Sequence, residues 1–255
     1  MSVLETFVAT QLFAFLIIFA RIGAALMVMP GISDVTVPTQ VRLYFALAFS
    51  FVLVPVLQPF LIEPPSGPLA FGLLVIKELL IGIFIGLMSQ IMMNAINLAG
   101  VFVAHATSLS SAFTFNPQMA SQTTVVSGFL SFLTITLIFA SDMHHYLFAG
   151  LIESYRLFPM AADLLYGDMT VSIAQGVSYA LRVGLMVAAP FIIVAFGIFV
   201  AMGLVARLVP QIQVFIMSVP VQVMTGLVLM MTSVSAMMVY FLTEYENFWR
   251  NFLSG

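Results

Sequence analysis

The sequence predicts an all-α, multi-helix integral membrane protein, and three observations carry that prediction. Hydrophobic residues make up 62% of the chain, charged residues only 7%, and the mean hydropathy is +1.17. With 10 acidic and 7 basic side chains, a soluble domain of 255 residues could not cover its surface. Apolar runs of spanning length recur along the chain; at roughly 20 apolar residues per span, about six or seven helices fit. Residues 1–255 read as a single membrane module built from kinked helices and helical hairpins.

The first apolar segment, Thr6 to Met29, contains Arg21 and ends at Met29-Pro30-Gly31, a combination that stops a helix. Glu5 stands where a cleaved signal would carry a basic region, so Leu4 to Met29 is expected to be a retained helix. Pro38 opens a second helix through Leu57, with Pro55 and Pro59 expected to disrupt its end. Glu63-Pro64-Pro65-Ser66-Gly67-Pro68 is a loop, and a third helix begins near Leu69. That helix carries Lys77-Glu78, then Gly82 and Gly86 at a small-xxx-small spacing that lets another helix approach closely. It is expected to fade near Gly100.

Helical character resumes from Val125 to Ala140. Asp142-Met143-His144-His145 and an aromatic, mildly amphipathic segment to Pro159 follow, a pattern suited to an interface. Tyr166-Gly167-Asp168 reads as a turn. A long apolar run from Val171 to Ala206 contains Arg182 and Pro190, where a kink is expected, and Arg207, Val209 and Pro210 break it. The last run, Ile212 to Leu242, contains Pro220 and leads into a short amphipathic tail with Glu244, Glu246, Trp249 and Arg250.

Between Leu79 and Ser141 there is no Asp, Glu, Lys or Arg, yet His105 to Ser127 is rich in Ser, Thr, Asn and Gln. Hydroxyl and amide groups facing hydrocarbon each need a partner or cost several kcal/mol. That stretch is expected to face protein or a water-filled path at membrane depth. Within it, Phe113-Thr114-Phe115-Asn116-Pro117 sets two rings before an Asn-Pro turn, a suitable steric plug. Ser108, Ser110 and Ser111 lie beside it without a G-x-S-x-G elbow or an obvious base, so no catalytic residue is expected.

Arg21, Lys77, Glu78 and Arg182 fall inside apolar runs, and ionisable groups there pair or line an aqueous route. Lys77 and Glu78 are neighbours that point different ways on a helix, so each requires its own partner. They are expected to be structural, as snorkelling groups or intersubunit ion pairs. Asp142, His144 and His145 have metal-ligand chemistry, but their spacing matches no strong site; they and His105 are expected to make polar contacts, with no metal or cofactor. The chain has no Cys, which removes disulfides and thiolate ligands, and a net charge of −3 without a basic block, which leaves nucleic-acid binding unsupported.

Several segments, taken in order, resemble the FliR family of flagellar export-gate proteins and their SctT counterparts in virulence type III secretion. They are Arg21 to Pro30 with Val37-Pro38 and Val41-Arg42-Leu43; Glu78 with Gly82 and Gly86; Gly100 to Asn116-Pro117; Ser154 to Pro159; and Gly203 to Gln211 with Val214-Phe215 and Pro220. The block from Arg207 through Pro210 and Gln211 is the most specific. The resemblance implies a non-enzymatic subunit of a helical assembly with FliP-like and FliQ-like partners in the bacterial inner membrane. FlhB-like and FlhA-like components would stand alongside, and unfolded exported proteins would pass through a central conduit. It also implies that Ser108 to Pro117 plugs that conduit, although Asn116 stands where an acidic residue often precedes the proline. The rival readings are a virulence export gate, a small-solute transporter, for which no clear two-half repeat is present, and an intramembrane hydrolase, whose catalytic set is missing.

Overall fold

The computed structural model describes residues 3–34, 36–65, 67–110, 124–162, 166–209 and 214–254. Among them run seven α-helices and no strand: α1 (Val3–Val28), α2 (Thr39–Leu57), α3 (Pro68–Ala106), α4 (Val125–Ala140), α5 (His144–Leu157), α6 (Tyr166–Leu208) and α7 (Val214–Ser254). Five stretches, Val8–Val28, Thr39–Phe60, Pro68–Ala106, Tyr166–Leu208 and Ser218–Leu253, are long and apolar enough to cross a membrane. Counting α4 and α5 as one broken span makes six.

Local chemistry sets most boundaries. Gly31 takes a left-handed φ of 82° just beyond α1, the conformation in which an L side chain is disfavoured. Pro38 precedes α2, and its carbonyl accepts from Val41 N at 3.0 Å. Thr124 caps α4, its Oγ1 accepting from Ser127 N at 3.1 Å. At the end of α3 the amide of Ser108 donates to the His105 carbonyl, and Ser108 itself has φ 57°, unusual for a residue with a Cβ.

Three boundaries differ from the sequence expectations. α3 continues to Ala106 past Gly100, because that glycine marks a close packing site rather than a helix stop: a Cβ there would meet Ser127 Oγ at 2.6 Å and Ser127 N at 2.8 Å. Tyr166-Gly167-Asp168 is the first turn of α6 and not a turn before it; Asp168 in that position complements the helix dipole. The C-terminal tail is no separate element but the last turns of α7. Pro55 lies inside α2 close to its end at Leu57, and Pro190 lies inside α6.

The chain divides into two units. One draws on Met1–Ile91, Asp142–Gly176 and Phe248–Gly255, the other on Met92–Ser141 and Val177–Asn247. The core of the first is Ile17, Ile18, Ile22, Leu26, Ile81, Ile85, Leu151 and Trp249. Trp249 packs against Gly150, where a Cβ would meet its ring at 2.7 Å, and stacks edge-on with Phe252 at 5.6 Å. The second is cored by Met92, Ile96, Ala99, Leu130, Val183, Val187, Phe191 and Phe241.

Candidate functional site

In the first unit, Arg21 is fully buried on α1 and so is Glu78 on α3. The guanidinium meets the carboxylate through a fork, Nε to Oε2 at 2.5 Å and Nη2 to Oε1 at 3.0 Å. Nη1 donates to the Ser154 carbonyl at 2.9 Å and to Ser154 Oγ at 3.3 Å; Nη2 also donates to the Phe158 carbonyl at 3.0 Å. All five donors of the guanidinium are thereby used, the condition under which a buried ion pair is tolerated. Tyr155 adds its ring face, 4.0 Å from the guanidinium carbon.

Lys77, one residue before Glu78, turns the other way and donates to the Met160 carbonyl at 2.8 Å, with the Ala162 and Pro159 carbonyls as further acceptors. Lys77 directly, and Glu78 through Arg21, thus tie α3 to the end of α5 and the segment after it. Glu78, Gly82 and Gly86 follow at intervals of four and share one face of α3. A Cβ on Gly82 would meet Ala24 Cβ at 2.9 Å, and one on Gly86 would meet Val28 Cβ at 2.7 Å. The two glycines bring the α3 backbone against α1 and so set the depth at which Arg21 reaches Glu78.

In the second unit, polar groups form a ladder between α3 and α4. Ser127 Oγ donates to the Asn97 carbonyl at 2.9 Å, and Ser131 Oγ donates to Asn97 Oδ1 at 2.5 Å. Where α3 ends, Thr107 returns its hydroxyl to the Val103 carbonyl at 2.8 Å and packs against Gly226 of α7, whose Cβ would lie 2.6 Å from Thr107 Cβ. Ser108 donates its hydroxyl to Oε1 of the buried Gln222. Gln222 and Gly226, four apart on α7, thus fasten the N-terminal base of the polar stretch. Ser110 lies just beyond, its Oγ 3.3 Å from His105 Nδ1.

Ser111, Phe113, Phe115, Asn116, Pro117, Pro210 and Gln211 lie outside the described residues. Arg182 is exposed on α6 with its guanidinium carbon 4.7 Å from the Tyr179 ring, and Tyr179 donates its hydroxyl to the Glu244 carboxylate. Arg207 is exposed in the last turn of α6. The expectation of snorkelling or intersubunit pairing for Arg21 and Glu78 is corrected: they meet within the chain, because α1 and α3 pack closely enough at Gly82 to bring them together. Sequence reasoning missed Ser154, Tyr155 and the Phe158 carbonyl as partners of Arg21, and Gln222 as the anchor of Ser108.

These features define a class: an all-α integral membrane protein in which buried polar groups lock helix to helix, and in which an uncharged polar segment leaves the end of a spanning-length helix. Residues 12–248 match the family of bacterial export proteins, family 1. The chain is 35% identical to the flagellar biosynthetic protein FliR of Caulobacter vibrioides over 93% of its length and 95% of the relative's. It is 29% identical to the FliR of Aquifex aeolicus (94% and 93%) and 27% identical to that of Bacillus subtilis (89% and 88%). The chain belongs to the FliR family of flagellar biosynthetic proteins, membrane-embedded components of protein export.

Proposed function

We propose that this chain is a non-enzymatic core subunit of the flagellar export gate in the bacterial inner membrane. With FliP-like and FliQ-like subunits it forms the conduit for unfolded flagellar proteins, beside FlhB-like and FlhA-like components, and residues 1–255 act as one module. The segment Ser108 to Pro117 closes the conduit between substrates, with Phe113 and Phe115 as its bulk. The observation that carries this reading is the anchorage of an uncharged polar stretch at its base: Ser108 on Gln222 and Thr107 on Gly226 give the segment a rigid root on α7. Family membership supplies the export context. The gate does not generate the driving force, since no P-loop pattern occurs in the sequence.

α6 and α7 also carry large apolar side chains on their outer faces. Ile193 is 71% exposed, Phe196 70% and Met231 80%, an apolar surface that calls for lipid or protein cover. The test is co-expression. A defined particle should form with FliP-like and FliQ-like subunits, and the chain alone should be unstable or polydisperse. A monodisperse, folded monomer from the isolated chain would overturn the obligate-subunit reading.

A further inference from the structure

We propose that Asp142, His144 and His145 form a site for one divalent transition-metal ion of the zinc class at the start of α5. One donor atom from each side chain lies within 4.8 Å of the others. In a tetrahedral zinc site with bonds of about 2.0–2.2 Å, neighbouring donors stand about 3.3–3.5 Å apart. Rotation of the Asp142 and His144 side chains would close that difference without moving helices, since Asp142 is exposed and His144 partly so.

Two further features suit the ligands to the ion. His145 Nδ1 lies 2.9 Å from the Asp142 carbonyl. A carbonyl only accepts, so Nδ1 carries the proton and the lone pair is on Nε2, the arrangement in which a backbone contact orients a metal-binding imidazole. Asp142, just before α5, has a left-handed φ of 59°, and the His144 and His145 rings lie 4.3 Å apart between centroids. Two imidazoles and one carboxylate favour zinc, nickel or copper over calcium or magnesium, which take all-oxygen shells. The positive end of the α5 dipole opposes the ion, but at an exposed terminus one partial charge is outweighed by three ligand bonds. A bound ion ties Asp142 to the first turn of α5 and fixes where that helix starts; a fourth position is left for water.

The test uses the full chain, purified in the assembly in which it is stable and without a histidine tag, stripped by chelator and titrated with Co²⁺ and Zn²⁺. One saturable equivalent per chain is expected, with the absorption bands of a four-coordinate cobalt site. His145→Asn should weaken binding by more than about tenfold. Asp142→Gly should do the same while folding normally, because glycine suits φ 59° better than aspartate does. His105→Asn, on α3, should leave binding unchanged. No saturable binding to the native chain, or equal binding to the native chain and to both site variants, would overturn the proposal.

Discussion

Arg21 and Glu78 stake the stability of the first unit on one fully buried pair. Breaking a buried pair by removing one partner costs about 3–5 kcal/mol, because the other ion stays unpaired. Arg21→Met and Glu78→Leu are each expected to lower thermal stability on that scale. The double replacement Arg21→Met with Glu78→Leu should recover most of the loss, since no buried charge then remains. Thermal unfolding of the four chains as a double-mutant cycle checks this, and strictly additive losses would mean that the two side chains do not depend on each other. Both ions stood out in the sequence as charges in apolar runs. Their pairing did not, because 57 residues separate them and two of the other acceptors, the Ser154 and Phe158 carbonyls, are backbone groups that leave no residue-type signal. Arg207 belongs to the same scale. Exposed at the end of α6, it is expected to bind a partner's carboxylate or helix-end carbonyls, and Arg207→Lys should not fully replace it because the planar fork is lost. Assembly yield and motility of Arg207→Ala and Arg207→Lys strains measure this; wild-type behaviour in both would reject an anchoring role.

α3 shows how the same residue type acts oppositely at different places on one helix. A Cβ on Gly72 meets nothing within 4 Å, whereas one on Gly82 or Gly86 would run into α1. Gly72→Ala is therefore expected to be neutral or to stabilise by up to about 1 kcal/mol through helix propensity alone. Gly82→Ala should destabilise by about 1–3 kcal/mol as the helices are forced apart and the Arg21 fork is stretched. Thermal melts of the two variants decide the matter, and equal effects would refute close packing at Gly82. The glycine spacing was legible because it repeats on one helical face. The length of α3 was not: Gly100 looks like a terminator in sequence, and only the Ser127 backbone lying against it shows that the missing side chain makes room for a neighbour. The amphipathic tail likewise gave no sign of what Trp249 packs on: it is fully buried against Gly150, a residue with no side chain to mark the contact.

For the whole molecule, an all-α membrane protein was legible from composition and run length, because hydrocarbon leaves the backbone few alternatives to helix. What covers the exposed apolar faces was not, since those residues look alike whether lipid or another subunit lies against them. The central claim is that Ser108 to Pro117 closes a conduit through an energised membrane. Ser108 supplies the fixed root in that account: it holds a left-handed φ and is tied to Gln222 by its hydroxyl. The most direct test is the closed-state ion conductance of correctly assembled particles carrying Phe113→Ala with Phe115→Ala, compared with the native assembly in the same bilayer. A raised conductance with unchanged assembly is the expected result. Unchanged conductance, or loss of assembly without any leak, would contradict the claim and make the two rings packed core.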